Sequence, residues 1–396
     1  AGDKVVPQTL EEILNEVEQV DFSEVLQPMT MDDFEALLLR QTGDSSPGIS
    51  GLTYGHLRAM SRKHRLVYLH LINRFIQFQE CPAQWLEVAI ALIPKSDGAQ
   101  GLGAGRPISL LECLFKLATA WVAPRMKAAQ RAHRRASDQP APAPASGRLH
   151  SQQLFDSGEH RGCHQALIIL ISVMQGLKLQ GMPFYLIYTD VKGAFPGVPT
   201  EFEGQRYNSM GISDSDRLFA FLQAIDVNSN IRVRVRHGFS RSTPKGTIGI
   251  HQGETLSPGK YSLSLDPLLV YLDKVAAQHN LGIDLGSIKI DRQLLPFEGS
   301  YTIEAPHGSV TFYTQGGRLV AIAFADDVCL VAKSPEEAQT VLHHAQYYYT
   351  AASATLCAPK SVWTGTQTPA QWQIKLSLPE KEHVHGLGTS TAGSPC

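Results

Sequence analysis

Apolar residues return along this chain at two spacings. Over 9–20, 30–41, 62–80, 85–91, 109–136, 163–179, 262–278 and 334–354 they recur at helical spacing, which predicts helices there. Three of these starts carry capping signals: Thr9 with Glu12, Thr30 with acids in the first turn, and Ser334 with Glu337. A Gly/Ser/Pro turn over 42–51 leads into a further helix. Strand-like runs are "VAIALIP", "PFYLIYTD", "LVAIAF" and "VCLVA". "IRVRVR" alternates strictly, which puts Arg232, Arg234 and Arg236 on one face of a half-exposed strand. The segment 281–318 predicts short strands and loops, and "SDQPAPAPASGR" (137–148) reads as a linker without core-forming residues. This order of elements implies an α+β fold with a mainly antiparallel sheet.

One apolar stretch is interrupted in a costly way. "VAIAFADDVCLVAKS" runs from Val320 to Ser334 with Asp326 and Asp327 at its centre, at the tip of a predicted hairpin. Carboxylates are expensive to bury unless a cation meets them. A solvated tip accounts for one aspartate, because Asp tolerates turn backbone, but less well for two with no Asn or Gly after them. Asp190 ends the apolar strand "FYLIYTD". A third carboxylate beside the pair makes a site for hard divalent cations, which take oxygen ligands and leave room for phosphates. Two such ions about 4 Å apart activate a hydroxyl and stabilise a leaving oxygen, the chemistry of phosphoryl or nucleotidyl transfer. The expectation is that Asp190 converges on Asp326 and Asp327.

Composition narrows this only slightly. The chain has 396 residues, 43% hydrophobic and 18% charged, with a formal net charge of -2, so any basic surface is local. Its six cysteines form no CxxC pair, as expected of reduced intracellular thiols. The longest apolar run, 166–174, is too short to span a bilayer, and no signal peptide is visible. The first residue is Ala1, which suggests a fragment or a processed product. Several motifs have blander readings. "GDSSPG" (43–48) is a turn rather than a serine nucleophile loop, and "GLGAG" (101–105) is a loop rather than a dinucleotide site. "HRGCH" groups His160, Cys163 and His164 but lacks a fourth zinc ligand. His343 and His344 read as helix-surface residues. The basic helix end "RMKAAQRAHRR" and the Arg232 face are either solvated or phosphate-tracking.

Taken in order, the motifs resemble those of reverse transcriptases, most closely the non-LTR, LINE-like retrotransposon kind. "SSPGISGLTYGHLR" is similar to the family's opening segment, and "IPK" and "RPISLL" to its first finger motifs. "QQLFDSGEHRGCHQAL" matches the following segment more weakly. "TDVKGAF" resembles the first catalytic motif, "HQGETLSP" the nucleotide-contacting one, "FADD" the catalytic hairpin and "CAPKS" the motif beyond it. In the family the hairpin often carries Tyr where this chain has Phe324.

The resemblance implies a right-hand polymerase fold with helical and β fingers and an antiparallel palm. The implied layout is an N-terminal helical extension over 1–60, fingers over 61–185, a palm over 186–360 with a finger insertion near 200–248, and a polar tail or thumb start over 361–396. The thumb would thus be missing or truncated. Asp190, Asp326 and Asp327, helped by the Val191 carbonyl, would bind two Mg²⁺ ions, with Mn²⁺ as an alternative. Lys95 and Arg106 would grip the triphosphate, Arg106 by a bidentate fork. Gln252 with Gly253 would shape the nucleotide pocket, and Lys360 would act as a general acid on the leaving pyrophosphate. Phe195 stands five residues after Asp190, where an aromatic excludes a ribose 2′-hydroxyl. The implied function is DNA synthesis on an RNA template from a DNA primer and dNTPs, inside the cell and in the nucleus on a genomic target, without a membrane partner. Two other readings stay open. One is a decayed or domesticated domain that binds nucleic acid without polymerising. The other is an RNA-dependent RNA polymerase, which Phe195 disfavours.

Overall fold

Four of the five residues of the strand Tyr185–Thr189 are buried, and the rest of one sheet is ordered around it. The structure is a computed structural model that describes residues 9–15, 17, 19–43, 45–95, 105–136, 163–235, 238–244, 249–285, 300–305, 308–313, 318–366 and 385–386. The chain divides into two units. The first comprises Ala1–Val17, Gln139–Ala194 and Leu265–Cys396, and the second Glu18–Asp138 and Phe195–Ser264. Both combine helices with sheet, so the chain is α+β.

The sheet of the first unit runs, from one edge, Ala321–Phe324, Asp327–Ala332, Tyr185–Thr189, Val362–Gly365 and His385–Gly386. All pairs are antiparallel except the last. Alternate residues of Asp327–Ala332 point to opposite faces, yet all from Val328 to Ala332 are buried, so this strand is covered on both sides. Ala166, Leu170, Val173 and Leu177 of the helix Cys163–Leu179 cover one face, packing with Leu186, Ile322, Cys329 and Val331. The helix Pro335–Ala351 packs on Asp327–Ala332 and Tyr185–Thr189. Its cap is half of what the sequence predicts: Ser334 Oγ accepts the Glu337 N–H, but the Glu337 carboxylate accepts the N–H of Gly282 instead of closing the box. Thr9 and Glu12 do close theirs, although the helix ends at Asn15 and not near Val20.

The second unit holds a mixed sheet ordered Gly105–Leu110, Glu87–Pro94, Asn230–Val235 and Gly238–Phe239, with Thr243–Pro244 also on Asn230–Val235. Glu87–Pro94 pairs antiparallel with Gly105–Leu110 and parallel with Asn230–Val235. Phe75 of the helix Arg62–Phe78 anchors its core, with ring centroids of Phe221, Phe115 and Trp85 at 4.6, 5.5 and 5.9 Å. The helix expected over 85–91 is instead a single 3-10 turn, Ala83–Leu86, running into a strand. β-branched Val88, Ile90 and Ile93 favour that extended backbone. The long helix starts at Cys113 rather than Ser109, because Ser109 and Leu110 are committed to the sheet. The expected helix over 262–278 is longer, Ser257–His279. The linker 137–148 lies outside the described residues. Among the described residues no helix is long and apolar enough to cross a membrane.

The helix-surface reading fails for His344. His343 is exposed, but His344 is buried and its Nδ1 meets the Tyr271 hydroxyl at 2.5 Å. Burial, then His279 and His343 nearby, pull its pKa down to about 4. An unfolded histidine titrates near ~6.5, so between about pH 6.5 and 4 the unfolded chain takes up the proton first. The stability that a neutral His344 allows is complete above that window and is lost as pH falls through it. Melting temperature followed from pH 7 to 4 should therefore decline more steeply for wild type than for His344→Gln. Parallel curves would show that His344 does not titrate differently on folding.

Candidate active site

Asp190 follows directly on Tyr185–Thr189, and Asp327 opens the neighbouring strand. Thr189 is paired with Val328, and its Oγ1 also donates to the Val328 carbonyl at 3.1 Å. Asp190 and Asp327 are therefore the next residues outward on two adjacent, antiparallel strands. Phe324 pairs with Asp327, so Ala325 and Asp326 form the hairpin's two-residue loop. Ala325 carries φ +54°, a backbone region that non-glycine residues seldom occupy. Asp327 is held above the usual carboxylate range by burial, then by the charges of Asp326 and Asp190. The charges of both other aspartates thus reach Asp327.

Further contacts fix Asp190. Its N–H donates to Ser361 Oγ at 3.1 Å, and its carbonyl accepts the Cys357 N–H at 2.7 Å. Val191 bridges Leu356 through the Asp190 carbonyl and the Lys192 N–H. Asp190 Oδ2 is buried and accepts no hydrogen bond, with the exposed Lys360 ammonium 3.6 Å away. Among the described residues no three His, Cys, Asp or Glu side chains stand as a ready-made ligand cage. What the site offers a hard cation is a set of mutually repelling carboxylates, one with a buried oxygen to spare. That donor set fits Mg²⁺, which takes few protein oxygens and keeps several other ligands.

The other predicted residues lie in the second unit. Arg106 is exposed on Gly105–Leu110 opposite Ile93, and exposed Lys95 follows two residues after Ile93. Arg106 thus shares a face of that ribbon with Ile93, and Lys95 stands just past the strand's end at Pro94. Gln252 and Gly253 are bound to the same strand: the Gln252 carbonyl accepts the Ser109 N–H at 2.6 Å. A Cβ at Gly253 would meet the Ser109 carbonyl oxygen at 2.8 Å, and its φ is +108°. Phe195 is not at the end of the strand that carries Asp190. A turn intervenes, and Phe195 sits in the short helix Ala194–Gly197, half-buried and stacked on Tyr261 at 4.6 Å.

Sequence reasoning passed over His251, Glu254 and Lys260. Buried His251 meets Ser109 Oγ through Nδ1 at 2.9 Å and Ser229 Oγ through Nε2 at 3.1 Å. Buried Lys260 reaches Asp226 at 2.6 Å and Glu254 at 3.3 Å. The signal was the polar content of "HQGETLSPGK", but the partners stand far off in sequence. Other motifs resolve simply. The turn just after "GDSSPG" docks on Glu112, which accepts the Ser50 N–H at 2.8 Å and the Ser50 hydroxyl at 2.5 Å. Arg232 is occupied by Glu87 at 2.8 Å, while Arg234 is exposed. Arg236, His160, the loop before Gly105, and the side chains of His164 and of 131–136 lie outside the described residues.

A profile of the family described as reverse transcriptase (RNA-dependent DNA polymerase) matches residues 93–388. The chain is also 25% identical over 248 residues to the retrovirus-related Pol polyprotein from type-1 retrotransposable element R2 of Popillia japonica. That alignment covers 62% of this chain and 31% of the relative, so the chain spans about a third of the length of the curated relative it matches.

Two glycines test how tightly the Gln252 turn is held. Gly51 has φ +73° with nothing within 4 Å of a Cβ, whereas Gly253 combines positive φ with the Ser109 contact. Gly51→Ala should cost about 1 kcal/mol for backbone alone, and Gly253→Ala clearly more, in the range of ~2–4 kcal/mol. Denaturant unfolding of both variants measures this, and equal losses would mean the turn is free to move off Ser109.

Proposed function

We propose, because the chain belongs to the reverse transcriptase (RNA-dependent DNA polymerase) family, that it extends a DNA primer on an RNA template with dNTPs by two-metal nucleotidyl transfer. The observation that carries this reading is the strand pairing that makes Asp190 and Asp327 neighbours beside Asp326. Asp190, Asp326, Asp327 and the Val191 carbonyl would hold the ions. Bound Mg²⁺ would supply activation of the primer 3′-hydroxyl and charge stabilisation of the pyrophosphate. The protein's own work is then positioning and neutralisation. Lys95 and Arg106 would bind triphosphate oxygens, and the Gln252–Gly253 turn would pack against the nucleotide. Lys360, with its ammonium near Asp190, would donate a proton to the leaving pyrophosphate. In this reading Asp190, Asp326 and Asp327 belong to the palm, and Lys95 and Arg106 to the fingers. The similarity to the R2 Pol polyprotein supports a role within a retroelement polyprotein.

Phe195 supports DNA over RNA synthesis. Its ring is braced by Tyr261, so it is not free to rotate away from a ribose. A 2′-hydroxyl pressed against it would lose its hydrogen bonds, a penalty of about 1–3 kcal/mol before any clash.

Primer extension on an RNA template tests both parts. Asp190→Asn should abolish extension while template binding persists. Phe195→Val should raise rNTP use roughly ten- to a hundredfold and leave dNTP use within a few fold. Wild type that used rNTPs as readily as dNTPs would favour an RNA polymerase. Wild type that bound RNA and extended nothing would favour a non-catalytic binding domain.

A further inference from the structure

We propose that Ser361 is a positioning residue for Asp190: its buried hydroxyl sets the peptide that aims the metal-binding carboxylate. This rests on the two-metal reading above. Ser361 is 1% exposed, so its hydroxyl has no recourse to water. Its Oγ accepts the Asp190 N–H at 3.1 Å and donates to the Cys357 carbonyl at 3.0 Å. The Ser361 N–H reaches that same carbonyl at 3.0 Å, and the Cys357 N–H returns to the Asp190 carbonyl at 2.7 Å. Both polar groups of the Asp190 main chain are thus tied to one turn, the 3-10 segment Ala358–Lys360, stiffened by Pro359.

The turn is itself anchored at both ends. On one side Val362 pairs with Tyr188, and on the other Leu356 bridges Val191. Between those pairs the ladder gives Asp190 no backbone acceptor on this side, and the serine hydroxyl takes that place. One hydroxyl has a single proton and two lone pairs, so its donation to Cys357 orients a lone pair toward Asp190. Alanine would leave the Asp190 N–H without this acceptor and the carboxylate without its fixed origin. Outer partners that orient metal ligands typically govern affinity by about 10–100-fold.

The test uses the full 396-residue chain, with Mn²⁺ binding followed by electron paramagnetic resonance of the free ion. Thermal melting in EDTA and the Mg²⁺ dependence of primer extension are measured alongside. Ser361→Ala should weaken Mn²⁺ binding about tenfold and raise the Mg²⁺ needed for half-maximal extension by a similar factor. The KM for dNTP should hardly move, and Ser361→Thr, which keeps the hydroxyl, should recover most of the loss. Should the alanine variant not fold, Ser361→Cys, a weaker acceptor and donor, should shift Mn²⁺ affinity in the same direction by less. A variant with a lowered melting temperature and unchanged Mn²⁺ affinity would make Ser361 a folding residue only and overturn the proposal. Asp190→Asn separates the two ideas. If it abolishes Mn²⁺ binding while Ser361→Ala does not weaken it, the positioning role alone is rejected. If Asp190→Asn binds Mn²⁺ normally, the two-metal reading fails.

Discussion

The register between Tyr185–Thr189 and Asp327–Ala332 decides what this chain can do. It pairs Thr189 with Val328 and thereby makes two aspartates neighbours at the strands' ends, with a third in the adjoining loop. Burial first, and then the like charges of Asp326 and Asp190, raise the Asp327 pKa, so both work against its ionised form. The pairing persists because slipping by one residue would exchange the side chains packed on the strand's two covered faces and break the fit on both. Residues 328–332 are all buried, so the helices on the sheet permit no such slip. Hydrophobic burial thus holds together a cluster that electrostatics alone would separate. A divalent cation bound there, as proposed, would turn the repulsion into attraction.

The second unit fixes its proposed nucleotide-contacting turn by a different device. Glu254 and Lys260 bracket the start of a helix and meet Asp226 in a fully buried ionic cluster. Burial alone would lower the Lys260 pKa, but Asp226 and Glu254 outweigh it and the ammonium stays charged. Glu203 close by is pushed up to about 8 by burial and then by Asp226, so it keeps its proton at neutral pH. Such clusters add little stability compared with apolar packing, but breaking one partner leaves a stranded charge. His251, the residue before Gln252, is tied through both ring nitrogens, to Ser109 and to Ser229.

Much of this was readable in the sequence where one residue's neighbours in the chain decide its state. The helix Cys163–Leu179, the hairpin with Asp326 and Asp327 at its tip, and the caps at Thr9 and Thr30 follow from local pattern. Where partners come from afar the pattern misled. Residues 85–91 can be written on a helix as well as a strand, and only pairing with Gly105–Leu110 and Asn230–Val235 decides. Ser109 looked like the start of a helix because nothing local shows that its N–H goes to Gln252. His344 looked exposed because Tyr271 stands 73 positions away. Ser361 beside Lys360 carried no signal at all, since its meaning lies in a hydrogen bond across 171 residues.

Asp190, Asp326 and Asp327 are proposed to share one cation site, at the cost of mutual repulsion when the cation is absent. Thermal melting of wild type and Asp327→Asn, each in EDTA and in Mg²⁺ at neutral pH, tests it directly. Removing one of the repelling charges should raise the melting temperature in EDTA above that of wild type. Added Mg²⁺ should then stabilise wild type and leave the variant nearly unchanged. A variant that melts lower than wild type in EDTA and gains as much from Mg²⁺ would contradict the shared site.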